Sequence, residues 1–120
     1  MEFILPNLNC IEKPVVYAIV FNTGYFYIGA TTNFEKRIEQ HKALIRLRPE
    51  NYLIYECNIP IKCSFVKLIS CQDANTCFKY EKDFILQNSN NPNMINAHYS
   101  TTEKTNLFTN KINTAIKLLQ

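Results

Sequence analysis

The sequence predicts a small α+β domain built from three strands and three helices. Two observations carry that reading. Short β-branched and aromatic runs, bounded by turn residues, occur at three places. Stretches with helical spacing and capping signals follow two of them, and a third closes the chain. With 120 residues, 47% of them apolar, the chain is expected to form one domain over 1–120 with its own core.

Residues 1–13 read as an irregular lead-in bracketed by Pro6 and Pro14. The run at 15–21 is a strand. Asn22-Thr23-Gly24 is a three-residue hairpin loop in which Gly24 takes the left-handed position such loops need. Residues 25–30 form the return strand. Pairing Phe21 with Tyr25 sets Ile19 against Tyr27 and Tyr17 against Gly29. Tyr17 and Tyr27 then share one face, and Gly29 leaves room beside the Tyr17 ring.

Thr32-Asn33-Phe34-Glu35 fits a capping box, which starts a helix at Asn33 that Pro49 ends after about Leu47. Its apolar stripe is Phe34, Ile38 and Ile45. His41 falls between them and Arg37 at their edge, beside Leu44. The stretch 51–58 fits a short helix or a strand equally well. Residues 61–70 form a third strand, with Lys67 on the face of Cys63, Phe65 and Ile69. Asp73 caps a second helix over 74–87, with Ala74, Cys77, Phe78, Phe84 and Ile85 inward. Glu81 lies in the middle of that stripe. A polar loop around Pro92 returns to Met94, Ile95 and Asn96. Ser100-Thr101-Thr102-Glu103 opens a C-terminal packing helix, about 101–119, with Phe108, Ile112, Ala115, Ile116 and Leu119 inward.

Composition narrows the setting. The net charge of +3 permits a polyanionic partner without requiring one. Cys10, Cys57, Cys63, Cys71 and Cys77 contain no CxxC pair, so they are expected to be free thiols packed as small apolar groups. No apolar run reaches a membrane span, and acidic Glu2 is unlike a secretory leader. The expected location is intracellular, cytoplasmic or nuclear, in a reducing compartment, with no membrane partner.

The residues out of place for a plain surface are Arg37, His41 and Glu81. A carboxylate on an inward stripe needs a cation or hydrogen bonds. It either pairs with Arg37 as a structural ion pair or holds a divalent metal. A cysteine nucleophile served by His41 or His98 is the weaker option, because no cysteine starts a helix beside a base. Phosphodiester hydrolysis suits the set: a glutamate for the metal, an arginine for the phosphate, and a tyrosine or histidine for the proton of water. Lys36, Lys42, Arg46 and Arg48 would attract a sugar-phosphate backbone, although Glu35 and Glu39 dilute that charge.

In these residues the chain resembles the GIY-YIG endonuclease superfamily. Tyr27-Ile28-Gly29 matches its second motif. Val15-Val16-Tyr17 keeps the tyrosine of the first and lacks its glycine. Arg37 and His41 stand at the places of the family's arginine and histidine, Glu81 at its metal-binding glutamate, and Asn96 at the asparagine that often follows. The resemblance spans about 15–96.

It implies a three-stranded antiparallel sheet flanked by helices and single-metal hydrolysis by Mg²⁺ or Mn²⁺, usually of DNA, with RNA not excluded. It further implies catalytic roles for Tyr17, Tyr27, Arg37, His41, Glu81 and Asn96. Tyr17 would be the base or its hydrogen-bond partner, Arg37 the phosphate ligand, Glu81 the metal ligand and Asn96 a brace. Ala30 stands where the family often has a basic or polar residue. A bare nuclease module would point to structure-directed or loosely specific cleavage, a homodimer or a targeting partner protein. The alternative is a nucleic-acid-binding module of the same fold that no longer cuts.

Overall fold

The computed structural model describes residues 1–7, 14–55, 60–96 and 109–120. Its elements in order are β1 (Glu2–Ile4), β2 (Val15–Phe21), β3 (Phe26–Thr31), α1 (Phe34–Leu47), a 3-10 turn (Pro49–Tyr52), β4 (Lys62–Ser70), α2 (Ala74–Gln87) and α3 (Thr109–Leu119). The α+β class stands. The sheet has four strands in the order β1-β4-β2-β3. β2 runs antiparallel to both neighbours, and β1 adds a parallel edge to β4. This corrects the reading of residues 2–4 as irregular lead-in. Three residues are too few for a periodic signal, and the strand forms because the exposed edge of β4 offers unpaired backbone groups.

The β2–β3 hairpin has the register its sequence predicts, with Tyr17 opposite Gly29 and Ile19 opposite Tyr27. Gly24 sits in the left-handed region at φ 97°, which an L side chain rarely adopts. β2 is buried along its whole length because both faces of the sheet are covered. On one side Tyr17, Ile19, Phe21, Cys63 and Phe65 pack under Phe34, Ile38 and Ile45 of α1 and Tyr52 of the 3-10 turn. On the other side Val16, Ala18, Val20, Ile28 and Ala30 pack under α2 and α3.

α1 starts one residue later than the capping-box pattern indicates. Asn33 is the cap, and its side chain accepts from the Lys36 backbone N–H at 3.1 Å. The buried positions of α1 are Phe34, Ile38, His41 and Ile45, as its periodicity requires. In α2 the Asp73 cap accepts from Thr76 N–H at 2.8 Å. Phe78 is 48% exposed rather than inward, because the contact line of α2 runs through Cys77 and Phe84, about 100° around the helix from it. The ambiguous stretch after Pro49 opens as the 3-10 turn and ends at Leu53 in a left-handed conformation; residues 56–59 lie outside the described set. The capping box at Ser100, Phe108, His98, Cys10 and Cys57 lie outside it too. Cys63, Cys71 and Cys77 are free and buried. Among the described residues no helix is long and apolar enough to cross a membrane.

Candidate active site

Tyr17 is the centre of the site. Its ring lies against Gly29 so closely that a Cβ built on Gly29 would sit 2.5 Å from Tyr17 Cζ and nearer still to its hydroxyl. Phe34 stacks on the same ring at 5.2 Å between centroids, and His41 meets it edge-on at 5.7 Å. The phenol is therefore held by packing on several sides. Its hydroxyl is hydrogen-bonded to His41 Nε2 at 2.7 Å. Tyr27, one face-neighbour along on β3, is half-buried and lies 5.3 Å from the His41 ring.

α1 delivers His41 and Arg37 one turn apart, because positions four residues apart share a helix face. His41 is only 6% exposed, and its Nδ1 lies 2.7 Å from the hydroxyl of Tyr52. Arg37 is exposed, as befits the edge of the apolar stripe. Its charge nevertheless reaches Tyr17, Tyr27, His41 and Glu81.

Burial pushes the Tyr17 and Tyr27 phenols above their ordinary range, with Arg37 opposing the rise in both. Burial first, and then Arg37, hold His41 down to about 4, so the imidazole is neutral at pH 7. The unfolded chain protonates this histidine near pH 6.5, where the folded chain does not. The stability that His41 supplies is thus full above pH 6.5 and is lost as the pH falls toward 4. In denaturant titrations the stability gap between the parent and His41→Gln should shrink as the pH falls from 7 to 5. A gap constant over that range would rule out a buried neutral imidazole.

The outer edge of β3 brings in the remaining groups. Three alternate N–H groups of this edge point away from β2, and each is taken by a different partner. Phe26 donates to the Asn93 carbonyl at 2.9 Å. Ile28 donates to Asn96 Oδ1 at 2.9 Å, while Asn96 Nδ2 donates to the Ile28 carbonyl at 2.9 Å. Ala30 donates to the Glu81 carboxylate. Asn96 thereby imitates a paired strand, which satisfies an edge that would otherwise be open, and it pins the backbone between Tyr27 and Gly29. Asn96→Ala leaves both groups of Ile28 without that partner. It should lower stability by about 1–3 kcal/mol in chemical denaturation, and an unchanged midpoint would show that water replaces the amide at no cost.

Glu81 is half-buried, and burial raises its carboxyl above the usual range. The Ala30 N–H and Arg37 pull the other way. Among the described residues the ion pair observed is Lys42 to Glu39 at 3.3 Å, so Glu81 and Arg37 feel each other's charge without closing on one another. The described residues include no cluster of three or more His, Cys, Asp or Glu able to hold a metal. One desolvated carboxylate does not make a closed protein cage. It does suit a hard cation such as Mg²⁺ that keeps its waters and completes its shell with substrate phosphate.

The structure brings Tyr17, Tyr27, Arg37 and Glu81 within reach of one another's charge, ties His41 to Tyr17, and holds Asn96 against the backbone of β3. Lys36 and Arg48 are exposed on α1 and just beyond it. Lys42 and Arg46 lie elsewhere. Both cover the Phe3 ring, at 5.7 and 4.9 Å, over β1 at the opposite edge of the sheet. Tyr52 is the residue that sequence reasoning missed. Its segment has no periodicity, and its importance comes from a contact with a side chain 11 positions away.

The GIY-YIG catalytic domain family model matches residues 13–96, well over half of the chain. No curated protein and no solved structure matches.

Proposed function

Because the chain belongs to the GIY-YIG nuclease family, we propose that it is a divalent-metal-dependent DNA endonuclease that hydrolyses phosphodiester bonds by a single-metal mechanism. Nucleases of this family are generally divalent-metal dependent and act on nucleic acid. The observation that carries the reading is the hydrogen bond between Tyr17 and His41 at 2.7 Å, formed within reach of both the Arg37 and the Glu81 charges.

In this mechanism Glu81 would hold Mg²⁺ or Mn²⁺, and the bound ion would supply positive charge that stabilises the transition state. Arg37, exposed on α1, binds the scissile phosphate and neutralises the charge that builds in the transition state. Tyr17, oriented by His41, acts as the phenolate, its own proton having been lost to solvent, and takes the proton of the attacking water to return to the phenol. Tyr27 positions that water or the phosphate. Asn96 keeps the β3 backbone in place, and with it Tyr27 and Gly29. Lys36 and Arg48, exposed at the two ends of α1, contact the sugar-phosphate backbone away from the scissile phosphate, as do Lys42 and Arg46 farther along the surface. Target choice then comes from substrate shape, a second copy of the chain or a partner protein.

The test is a cleavage panel in Mg²⁺ and in Mn²⁺ on supercoiled plasmid, linear duplex, single strands, branched DNA and RNA. Metal-dependent cutting of DNA is the expected result. Cutting confined to RNA would move the substrate. Salt-sensitive binding with no product on any substrate would turn the reading into a binding module of the same fold.

A further inference from the structure

Tyr52 plays no part in the chemistry described so far, yet it completes a buried row. Its hydroxyl lies 2.7 Å from His41 Nδ1, and His41 Nε2 lies 2.7 Å from the Tyr17 hydroxyl. Tyr52, His41 and Tyr17 are 5%, 6% and 1% exposed. The row runs from the 3-10 turn through α1 to β2. A ring tied at both nitrogens cannot flip without breaking both bonds.

A neutral imidazole carries one N–H and one lone pair, so the row can be ordered in only two ways. The two ends differ. His41 is the hydrogen-bond partner of the Tyr52 hydroxyl, whose other neighbours are the Phe21 and Tyr27 rings and the Cys63 thiol, a weak acceptor. A buried hydroxyl proton without an acceptor is costly. The Tyr17 hydroxyl instead lies within the fields of Glu81 and Arg37, one half-buried and one exposed. The negative charge of Glu81 draws its proton toward that side.

We propose that Tyr52 is a positioning residue that decides which nitrogen of His41 carries the proton. Tyr52 donates to Nδ1, the proton therefore stays on Nε2, and Nε2–H donates to the Tyr17 oxygen. A hydrogen bond received at that oxygen favours a phenolate over a neutral phenol. It opposes the burial that makes Tyr17 reluctant to ionise, and so prepares Tyr17 to act as a base. The catalytic consequence rests on the nuclease reading; the proton assignment does not.

The test uses the full chain, labelled with ¹⁵N in its histidine rings. Only two histidines are present, His41 and His98, so a His41→Gln spectrum assigns the signals. In the parent, His41 should show the signature of a ring protonated at Nε2. In Tyr52→Phe, which keeps the ring packed against Phe21 and Tyr27, that signature should shift toward the Nδ1–H form or a mixture.

With the parent shown to cut, kcat of Tyr52→Phe should fall about tenfold at unchanged KM, the rate equivalent of one hydrogen bond. A parent protonated at Nδ1 overturns the proposal, and that spectrum decides even if Tyr52→Phe fails to fold. An unchanged His41 spectrum in Tyr52→Phe overturns it too. A tautomer that shifts while kcat holds would overturn the catalytic role. A parent that cuts nothing would sink the proposed function instead, leaving the proton assignment to be judged by the spectra alone.

Discussion

Glu81→Gln should lose cleavage in Mg²⁺ by at least about 10³-fold while the protein folds as well as the parent. The magnitude follows from the several kcal/mol of transition-state charge stabilisation that a metal supplies, at 1.36 kcal/mol per tenfold. The unaltered fold follows from the site. The glutamine amide oxygen can still accept the Ala30 N–H that the carboxylate accepts now. Burial raises the Glu81 carboxyl, so its ionised form is held at some expense to stability, and a neutral amide relieves that strain.

A structural ion pair would behave in the opposite way. Removing one partner of a buried pair costs about 3–5 kcal/mol, and Glu81 is not within ion-pair distance of Arg37. Plasmid nicking and thermal melting on the same preparations decide the matter. Parent-like cutting by Glu81→Gln would end the metal assignment, and a melting temperature lowered by several degrees would restore the structural one.

Gly29→Ala should be nearly as damaging, by a different route. The added methyl group would occupy the space of the Tyr17 hydroxyl end, with Cζ only 2.5 Å away. Phe34 stacked on the ring, the hydrogen bond to His41 and the buried strand around it leave the phenol nowhere to go cheaply. Overpacking of this kind costs about 1–3 kcal/mol. Whatever stability remains, a Tyr17 oxygen displaced by about 1 Å should reduce cleavage by roughly 10²-fold. The contrast to measure is binding against turnover. DNA binding through exposed Lys36, Arg37 and Arg48 should survive in the folded fraction while turnover falls. Full turnover in Gly29→Ala would mean that Tyr17 is not the group whose position matters.

The hairpin shows how far sequence reasoning reaches. A β-branched and aromatic run at 15–21, a three-residue loop ending in Gly24 and the pairing of Phe21 with Tyr25 across it were enough to set the register that puts Tyr17 on Gly29. Helical spacing was enough to place His41 inward between Ile38 and Ile45, and Glu81 near the line of Cys77 and Phe84. These are signals of period two and 3.6, written within a dozen residues. They survive folding because the core faces they mark are the ones the sheet buries. The family membership rests on the same local motifs, so it too was legible.

What the tertiary structure decided depends on residues that meet from far apart. β1 exists because the edge of β4 was open to it. Lys42 and Arg46 lie over Phe3 because that ring is brought to them by a strand three residues long. Asn96 grips Ile28 from 68 positions away, and its amide matters because β3 ends the sheet. Tyr52 has no periodicity to announce it; it counts because the 3-10 turn carries its hydroxyl to the one nitrogen of His41 that Tyr17 leaves unused. Sequence patterns thus determined which faces turn inward, through local periodicity and burial of apolar surface. The assembled fold alone decided which polar atoms pair inside, because a hydrogen bond is set by distances of a few tenths of an ångström that no spacing along the chain encodes.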